Sequence, residues 1–531
     1  MHRCLLISEV VVNIAQEILH DDFRWEKPTA WDSLAKLAQT CRMFSEPSLN
    51  LLWRAQASLI PLLRTMPADL WRMDDGILIL DRPIKSTDWS RFQTYASRIH
   101  YLDRDSDEAL HFPIDLCLSP EYLKALVFAK PSNVASFCPR MHCLNWDSLM
   151  EVNSEMAFEC MPLFMGAATQ EVTFSLDGLR TAGLSLAQSI LYNFPGLRCI
   201  TIQSDRRTNK PAVEDALTEL VSHGMDLREV SVPNSPLPQP VAEHLAGFEH
   251  LQRLTVMVDE RILSTQASGF RALKYLKVSS KTFRAIPSLV QMLISPLETA
   301  MFQVCDGVLE PQELARTFEM MKLHSLHPHL RSIRVSAFRS RVEPRGAVIG
   351  ENVLQHLLVF SNLSDIRLYT TAPMELSNTI VQEMASAWPQ LSLLILSEVG
   401  CFQGSSITLA GLIPLFCLPR INSISIAIGD STIDPDATLA FSQTQEGTLR
   451  WLNLQDSIID EIGPVAALLS KFAPNLEYIH SWNKTATDNA RVDPQSAKEY
   501  RRRWTEVARL VPVIAAVRQE ERAAVLAAVA S

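Results

Sequence analysis

The chain has 531 residues, of which 47% are hydrophobic and 20% are charged, and its formal net charge is −10 at pH 7. A chain of this length exceeds what one compact domain with a single core usually holds, so several packed units or a stacked array are expected. The acidic balance excludes nucleic acid as an expected partner, because phosphate binding draws on a dense basic surface.

Ten cysteines are scattered without regular spacing, which favours reduced thiols over a disulfide framework. The N-terminal apolar run is interrupted by Glu9, Asn13 and Glu17 and therefore predicts an amphipathic helix rather than a signal peptide. The longest apolar candidate for a membrane span, residues 409–418, is short and contains Pro414. We therefore expect a cytoplasmic or nuclear protein with no membrane partner.

The first zone, residues 1–65, predicts a small all-helical module. Two apolar stripes recur at helical spacing, with a polar segment that contains Pro28 between them, and a third helical stretch follows at about residues 49–63. The first stripe is Ile7, Val10, Ile14 and Ile18, and the second is Leu34, Leu37, Cys41 and Phe44. Residues 66–140 are less regular and predict a linker with degenerate first repeats.

A short phrase recurs from about residue 141 to residue 490: apolar, two variable, apolar, one variable, apolar. Clear neighbouring copies begin at Leu197 and Leu227, at Leu251 and Leu273, and at Leu330 and Leu363, and their spacing of about 22 to 33 residues is typical of leucine-rich repeats. Each copy predicts a strand backed by a helical segment. The expected fold is therefore α/β, a leucine-rich-repeat solenoid of parallel strands with the small helical module in front.

Several predicted helices end in an aromatic or small residue followed by proline, as in the segments at Pro195, Pro389 and Pro474. Proline cannot continue a helix, so it is expected to turn the chain into the next strand. Within the strand, positions one, four and six should face the core, and positions three, five and seven should face outward.

The tail, residues 491–531, is rich in Ala, Arg and Glu and predicts helix broken at Pro512. It is expected to cap the last repeat or to form a loose end.

No catalytic motif stands out, and we expect neither an enzyme nor a cofactor. The chain has 17 glycines and lacks both common phosphate-binding glycine motifs. Cys138, His142 and Cys143 lie close together, but no second ligand pair follows at zinc spacing, so we expect no metal site.

The first zone resembles an F-box, and the whole chain resembles fungal F-box proteins with divergent leucine-rich repeats. The matching residues are Ile7, Glu9, Val10, Ile14, Ile18, Leu34, Leu37, Cys41, Arg42, Phe44, Leu52 and Trp53. Ser8 stands where the family usually has proline, and the segment Asp21–Asp32 lengthens the first connection between helices.

The resemblance implies a substrate receptor of an SCF-type cullin-RING ubiquitin ligase. The F-box would bind a Skp-type adaptor and, through it, the cullin scaffold, and the repeats would hold a target protein. Apart from Arg42, the matching residues are then the expected adaptor-binding set, although their apolar side chains could also simply pack together. The alternative is an interaction scaffold whose F-box has drifted and which has no ligase role.

The outward strand positions are the expected target-binding surface. They include aromatic residues and arginine, which are enriched at protein interfaces. The candidates are Arg253, Tyr275, Lys277, Arg334, Arg367, Tyr369, Trp451, Tyr478, His480 and Trp482. Trp451, Tyr478 and Trp482 could instead pack beneath the terminal tail.

Overall fold

A computed structural model describes the following parts of the chain: residues 7–20, 27–103, 117–149, 155–204, 210–222, 227–261, 268–305, 309–324, 327–337, 348–370, 372–396, 405–433, 447–482 and 492–530. The expected boundary at residues 490 and 491 lies outside these ranges. The chain divides into two compact units, Met1–Ser235 and Pro236–Ser531.

The first unit begins with three helices, α1 (Ser8–His20), α2 (Lys27–Thr40) and α3 (Arg42–Arg54). Cys41 separates the last two because its backbone is extended, with φ of −158°. Pro28 lies in the first turn of α2, where its missing amide hydrogen is tolerated, so it does not separate two helices as expected.

The first unit then continues as strands alternating with helices. The strands are β1 (Ala55–Gln56), β2 (Trp71–Asp74), β3 (Ile77–Leu80), β4 (Tyr101–Leu102), β5 (Cys117–Leu118), β6 (Cys143–Asn145), β7 (Glu171–Ser175), β8 (Cys199–Gln203) and β9 (Glu229–Pro236). The helices are Ile60–Leu63, Trp89–Ala96, Pro120–Ala129, Trp146–Leu149, Glu155–Cys160, Thr181–Asn193 and Lys210–Ser222.

Six of these strands form a parallel ladder in the order β1-β4-β6-β7-β8-β9. Strands β2, β3 and β5 form a separate small sheet. The ladder thus includes a strand at Ala55, inside the segment that the sequence assigned to the helical module, and another within the expected linker.

The second unit carries the regular part of the array. Its strands are β10 (Arg253–Val258), β11 (Tyr275–Ser280), β12 (Thr299–Val304), β13 (Ser332–Ala337), β14 (Ile349–Gly350), β15 (Asp365–Tyr369), β16 (Met374–Glu375), β17 (Leu393–Leu396), β18 (Ser423–Ser425), β19 (Trp451–Asn453) and β20 (Tyr478–His480). Its helices are Gln239–Ala246, Ile286–Val290, Pro311–His324, Glu351–Gln355, Asn378–Ala387, Ile413–Phe416, Ile462–Phe472 and Pro494–Ala530.

Nine of these strands pair in parallel and follow chain order, β10-β11-β12-β13-β15-β17-β18-β19-β20. Burial alternates over the first six positions of the phrase as predicted: Leu251, Leu254 and Val256 are fully buried, whereas Arg253 is exposed and Thr255 is half-buried. The alternation stops at position seven on β10 and β11, where Met257 and Ser279 are buried. Parallel strands with helical connections are the α/β architecture expected of leucine-rich repeats.

The predicted proline signal recurs with one geometry. The residues Phe194, Trp388 and Ala473 each end a helix with φ between −135° and −119° and ψ between 59° and 70°. Each is followed by proline, which disfavours helical backbone at the preceding residue. This confirms that proline ends these helices just before the next strand.

The C-terminal helix, Pro494–Ala530, packs on helix Ile462–Phe472 and on β20. Its buried side chains include Trp504, Val507 and Val511. The expected break at Pro512 is wrong, because the helix continues through this residue. Pro512 is exposed, so the carbonyl group that loses its helical partner is on a side open to water.

Candidate interaction surfaces

Helix α1 has two apolar faces. Val11 and Ala15 are fully buried, as is Leu34 of α2, which places them in the core of the three-helix module. Val10, Ile14 and Ile18 instead line an open concavity of about 410 Å³ together with Asn13 and Glu17. We call Val10, Ile14 and Ile18 the apolar stripe.

The remaining candidates of the helical module are divided between surface and interior. Ile7 and Glu9 are exposed, and Leu37, Cys41, Phe44 and Leu52 are half-buried. Leu34 is wrong as an adaptor-binding residue because its side chain has no exposed surface. The half-buried Trp53 packs against Tyr95, with 4.6 Å between the ring centroids.

The outward face of the second unit is built from two rows of side chains. The row at position three of the phrase contains Arg253, Tyr275, Thr299, Ser332, Asp365, Leu393, Ser423, Trp451 and Tyr478. The row at position five contains Thr255, Lys277, Met301, Arg334, Arg367, Ile395, Ser425, Asn453 and His480. We call these the outer row and the inner row. The two rows hold eight of the ten predicted target-binding residues. The other two are Tyr369, which lies at position seven on β15, and Trp482.

Hydrogen bonds and ring contacts order part of this face. The Arg253 guanidinium lies 4.5 Å from the centroid of the Tyr275 ring, and the Tyr275 hydroxyl donates to the Met301 sulfur at 3.3 Å. Arg367 donates from Nε and Nη2 to both oxygens of Asp365, at 2.7 and 2.6 Å. This bidentate hydrogen bonding raises the pKa of Arg367 above its ordinary value.

Two other cations on the inner row are not paired in this way. Neither Lys277 nor Arg334 has an ion-pair partner in the part of the chain that the structure describes. The Nε of Arg334 is buried and has no hydrogen-bond partner there. Arg334 and the paired Arg367 are direct neighbours on adjacent strands.

At the C-terminal end of the face, three rings form the aromatic cluster, which consists of Trp451, Tyr478 and His480. Trp451 and Tyr478 stack with centroids 4.2 Å apart and remain 42% and 46% exposed. His480 lies nearly parallel to both rings, 5.9 Å from Trp451 and 6.2 Å from Tyr478. These rings present large apolar surfaces that a ligand can contact.

Trp482 is wrong as a target-binding residue because only 1% of it is exposed. Its backbone adopts a left-handed φ of 46°, its ring stacks on Tyr500 of the C-terminal helix, and its Nε1 donates to the Ser457 carbonyl. It therefore lies beneath the C-terminal helix, whereas Trp451 and Tyr478 do not.

The cysteine and histidine group described under the sequence contains two thiols in buried surroundings. Burial raises the pKa of the Cys138 thiol, and it raises that of Cys143 to about 12, so both thiols stay protonated at neutral pH. Among the described residues, no group of three or more His, Cys, Asp or Glu side chains could hold a metal ion. Within the same ranges, no helix is long and apolar enough to cross a membrane.

No family model and no curated protein matches this sequence. Among solved structures, the chain is similar to TLR13 in the TLR13-ssRNA13 complex, with 13% identity and a TM-score of 0.31 over 73% of this chain and 50% of TLR13. It thus spans half the length of that chain. It is also similar to an internalin (inlF) from Listeria monocytogenes, with 11% identity and a TM-score of 0.30 over 87% of this chain and 93% of the internalin. Such scores do not establish a shared fold, so the architecture depends on the strand register and repeat phrase of this chain itself.

Proposed function

We propose that this protein is a substrate-recognition adaptor of an SCF-type cullin-RING ubiquitin ligase. In this proposal the N-terminal helices bind a Skp-type adaptor, and the outward face of the second unit binds the protein to be ubiquitinated. The chain itself performs no catalysis, and it needs no cofactor. The F-box pattern of the first 53 residues and the open apolar stripe of α1 support the first half of the proposal.

The apolar stripe is the observation that carries the proposal. Helix α1 buries Val11 and Ala15 in its own module and leaves Val10, Ile14 and Ile18 along a concavity. A contiguous apolar strip in contact with water is unfavourable, and a partner surface that covers it gains the free energy of burial. An amphipathic helix set against an apolar groove is a common way for proteins to achieve this.

The two departures from the F-box pattern are compatible with this role. Ser8 begins α1, and the first turn of a helix accepts serine as well as proline because its amide hydrogens need no helical partner. Residues 27–32 of the inserted segment are helical and belong to α2. The extra length between the helices is therefore confined to residues 21–26, which lie outside the described ranges.

The second half of the proposal is supported by the chemistry of the outward face. Its rows combine arginine, tyrosine and tryptophan on a rigid ladder, and such residues dominate the energetics of protein interfaces. The ladder holds them at fixed spacing, so little conformational entropy is lost on binding.

The direct test is a pull-down of the full-length chain with a purified Skp-type adaptor. We expect Ile14→Asp and Ile18→Asp to weaken binding by roughly a factor of ten or more, because each places a charge within the apolar contact. Gln16→Glu adds the same charge to the same helix at a half-buried residue that does not line the concavity, and it should bind nearly as the wild type does.

If the wild-type chain does not bind the adaptor, the ligase role is refuted. The remaining candidate is then an interaction scaffold that keeps the outward face without the adaptor contact. Equal binding by Gln16→Glu and Ile14→Asp would show that the apolar stripe is not the contact surface.

A further inference from the structure

The outward face of strands β10 to β15 carries a charge opposite to that of the whole chain. Its outer and inner rows hold four cations and one carboxylate, although the chain has a net charge of −10. The cations are Arg253, Lys277, Arg334 and Arg367, and the carboxylate is Asp365. Composition does not account for this local excess of positive charge.

Only some of these cations are engaged within the chain. Arg367 is paired with Asp365, and Arg253 lies over the Tyr275 ring. Lys277 and Arg334 lack an acidic partner among the described residues. A buried donor such as the Arg334 Nε is unfavourable without an acceptor, and a carboxylate is the acceptor that a guanidinium binds most strongly.

We propose that this face binds an extended acidic peptide segment that ends on the aromatic cluster. One carboxylate of the segment lies at Arg334, a second lies at Lys277, and an aromatic side chain packs on Trp451 and Tyr478. This inference rests on the proposed function, because it names the chemical class of the target that the repeats would hold.

The strand register gives the spacing of these three contacts. Lys277 and Arg334 lie two strands apart, with Met301 between them. At about 4.8 Å per strand this is roughly 10 Å, which an extended chain covers in about three residues. Trp451 lies four strands beyond Arg334, at roughly 19 Å, or about six residues of extended chain.

The surface between the two ends also suits such a segment. Leu393 and Ile395 are half-buried on β17, between the cationic part and the aromatic cluster. They offer an apolar surface to the middle of the segment. A matching peptide therefore has two acidic residues three positions apart and an aromatic residue six positions beyond the second, in either chain direction.

The test uses the full-length chain to select binders from a displayed library of random 16-residue peptides. We expect the selected sequences to be enriched in Asp and Glu at this spacing from an aromatic residue. The best peptides are then synthesised, and their dissociation constants are measured by calorimetry for the wild type and three variants, whose folding is checked by circular dichroism.

Arg334→Gln should weaken binding by about tenfold or more, since it removes a charge-assisted contact on the face. Arg331→Gln is the matched control: it removes the same charge three residues earlier, at position two of the phrase, and should change binding by less than about twofold. Trp451→Ala should weaken binding by about tenfold. Raising the salt concentration should weaken the binding of the wild type.

Three results would overturn the proposal: no binders at all, binders without acidic enrichment, or equal losses for Arg334→Gln and Arg331→Gln. If the affinity of the peptides depends on Trp451 but not on Arg334, recognition of acidic residues is refuted, whereas the role of the outward face in target binding is not. The adaptor pull-down is independent of all these outcomes, so failure of the ligase role is distinguished from failure of this inference.

Discussion

Replacing Trp504 by alanine tests whether the C-terminal helix is a cap that stabilises the end of the array. Trp504 is 1% exposed, and its Nε1 donates to the Ser457 carbonyl at 2.9 Å. The Trp482 Nε1 donates to the same oxygen at 2.9 Å, so the carbonyl keeps one donor in the variant. The loss is therefore mainly one of packing, and a buried Trp→Ala change costs about 3–5 kcal/mol.

Hydrogen exchange measures this loss where it should occur. In Trp504→Ala, amides of β20 and of the C-terminal helix should exchange roughly a hundredfold to a thousandfold faster, since each 1.4 kcal/mol is a factor of ten. Val517→Ala is the control on the same helix: Val517 is exposed, and surface changes alter the stability by about 0.5 kcal/mol or less.

Equal exchange rates at β20 in Trp504→Ala and Val517→Ala would contradict this prediction. That result would mean that the helix contributes nothing to the stability of the last strands. A uniform increase across the whole second unit would instead show that the helix stabilises the unit as a whole rather than its end.

Two further predictions concern stability. Asp88 is buried and accepts hydrogen bonds from Arg82, which lower the pKa of its carboxyl group. The pair therefore stabilises the fold fully above the ordinary carboxyl pKa, and this stabilisation is lost as the pH falls through the lowered pKa. Asp88→Asn should lower the free energy of unfolding by about 3 kcal/mol at pH 7. It should also weaken the pH dependence of this free energy in the acid range, measured by urea titration from pH 7 to pH 2. Gly269→Ala should cost about 1–3 kcal/mol because a Cβ there would lie 2.2 Å from the Ala246 carbonyl oxygen. Gly463→Ala, in a helix with no atom within 4 Å of the added Cβ, should instead raise the unfolding midpoint slightly; a loss there as large as at Gly269 would contradict this argument.

The regular part of the fold is predictable because the repeat phrase combines two signals. The two-residue period of an extended chain places Leu254 and Val256 inside and Arg253 outside, as observed. Proline marks the helix ends before Leu197, Leu391 and Leu476. The first strand, Ala55–Gln56, has only two residues, so it carries no periodic signal and was missed.

The errors at the site have local physical causes. The two-residue period predicts that Trp482 faces outward with Tyr478 and His480. It does not, because strand β20 ends at His480 and the left-handed backbone of Trp482 turns its side chain inward. Leu34 was assigned to a partner because periodicity identifies an apolar face without distinguishing internal from external burial.

The ion pair on the face is predictable from the sequence. Asp365 and Arg367 lie two residues apart on one strand, so their side chains share a face and can form the observed ion pair. The isolation of Arg334 was not visible, because it depends on which residues the neighbouring strands place beside it. Strand register supplies Met301 on one side and the already paired Arg367 on the other.

The parallel register also separates stability from recognition in the second unit. The buried positions, such as Ile333 and Val335, hold the ladder together, whereas Arg334 between them faces outward. A change at Arg334 therefore leaves the core contacts of its own strand intact, and surface changes of this kind alter stability little. Repeats with one common core can thus present different chemistry on successive strands, here cationic at β10 to β15 and aromatic at β19 and β20. A change in affinity caused by Arg334→Gln can for this reason be attributed to the face rather than to the fold.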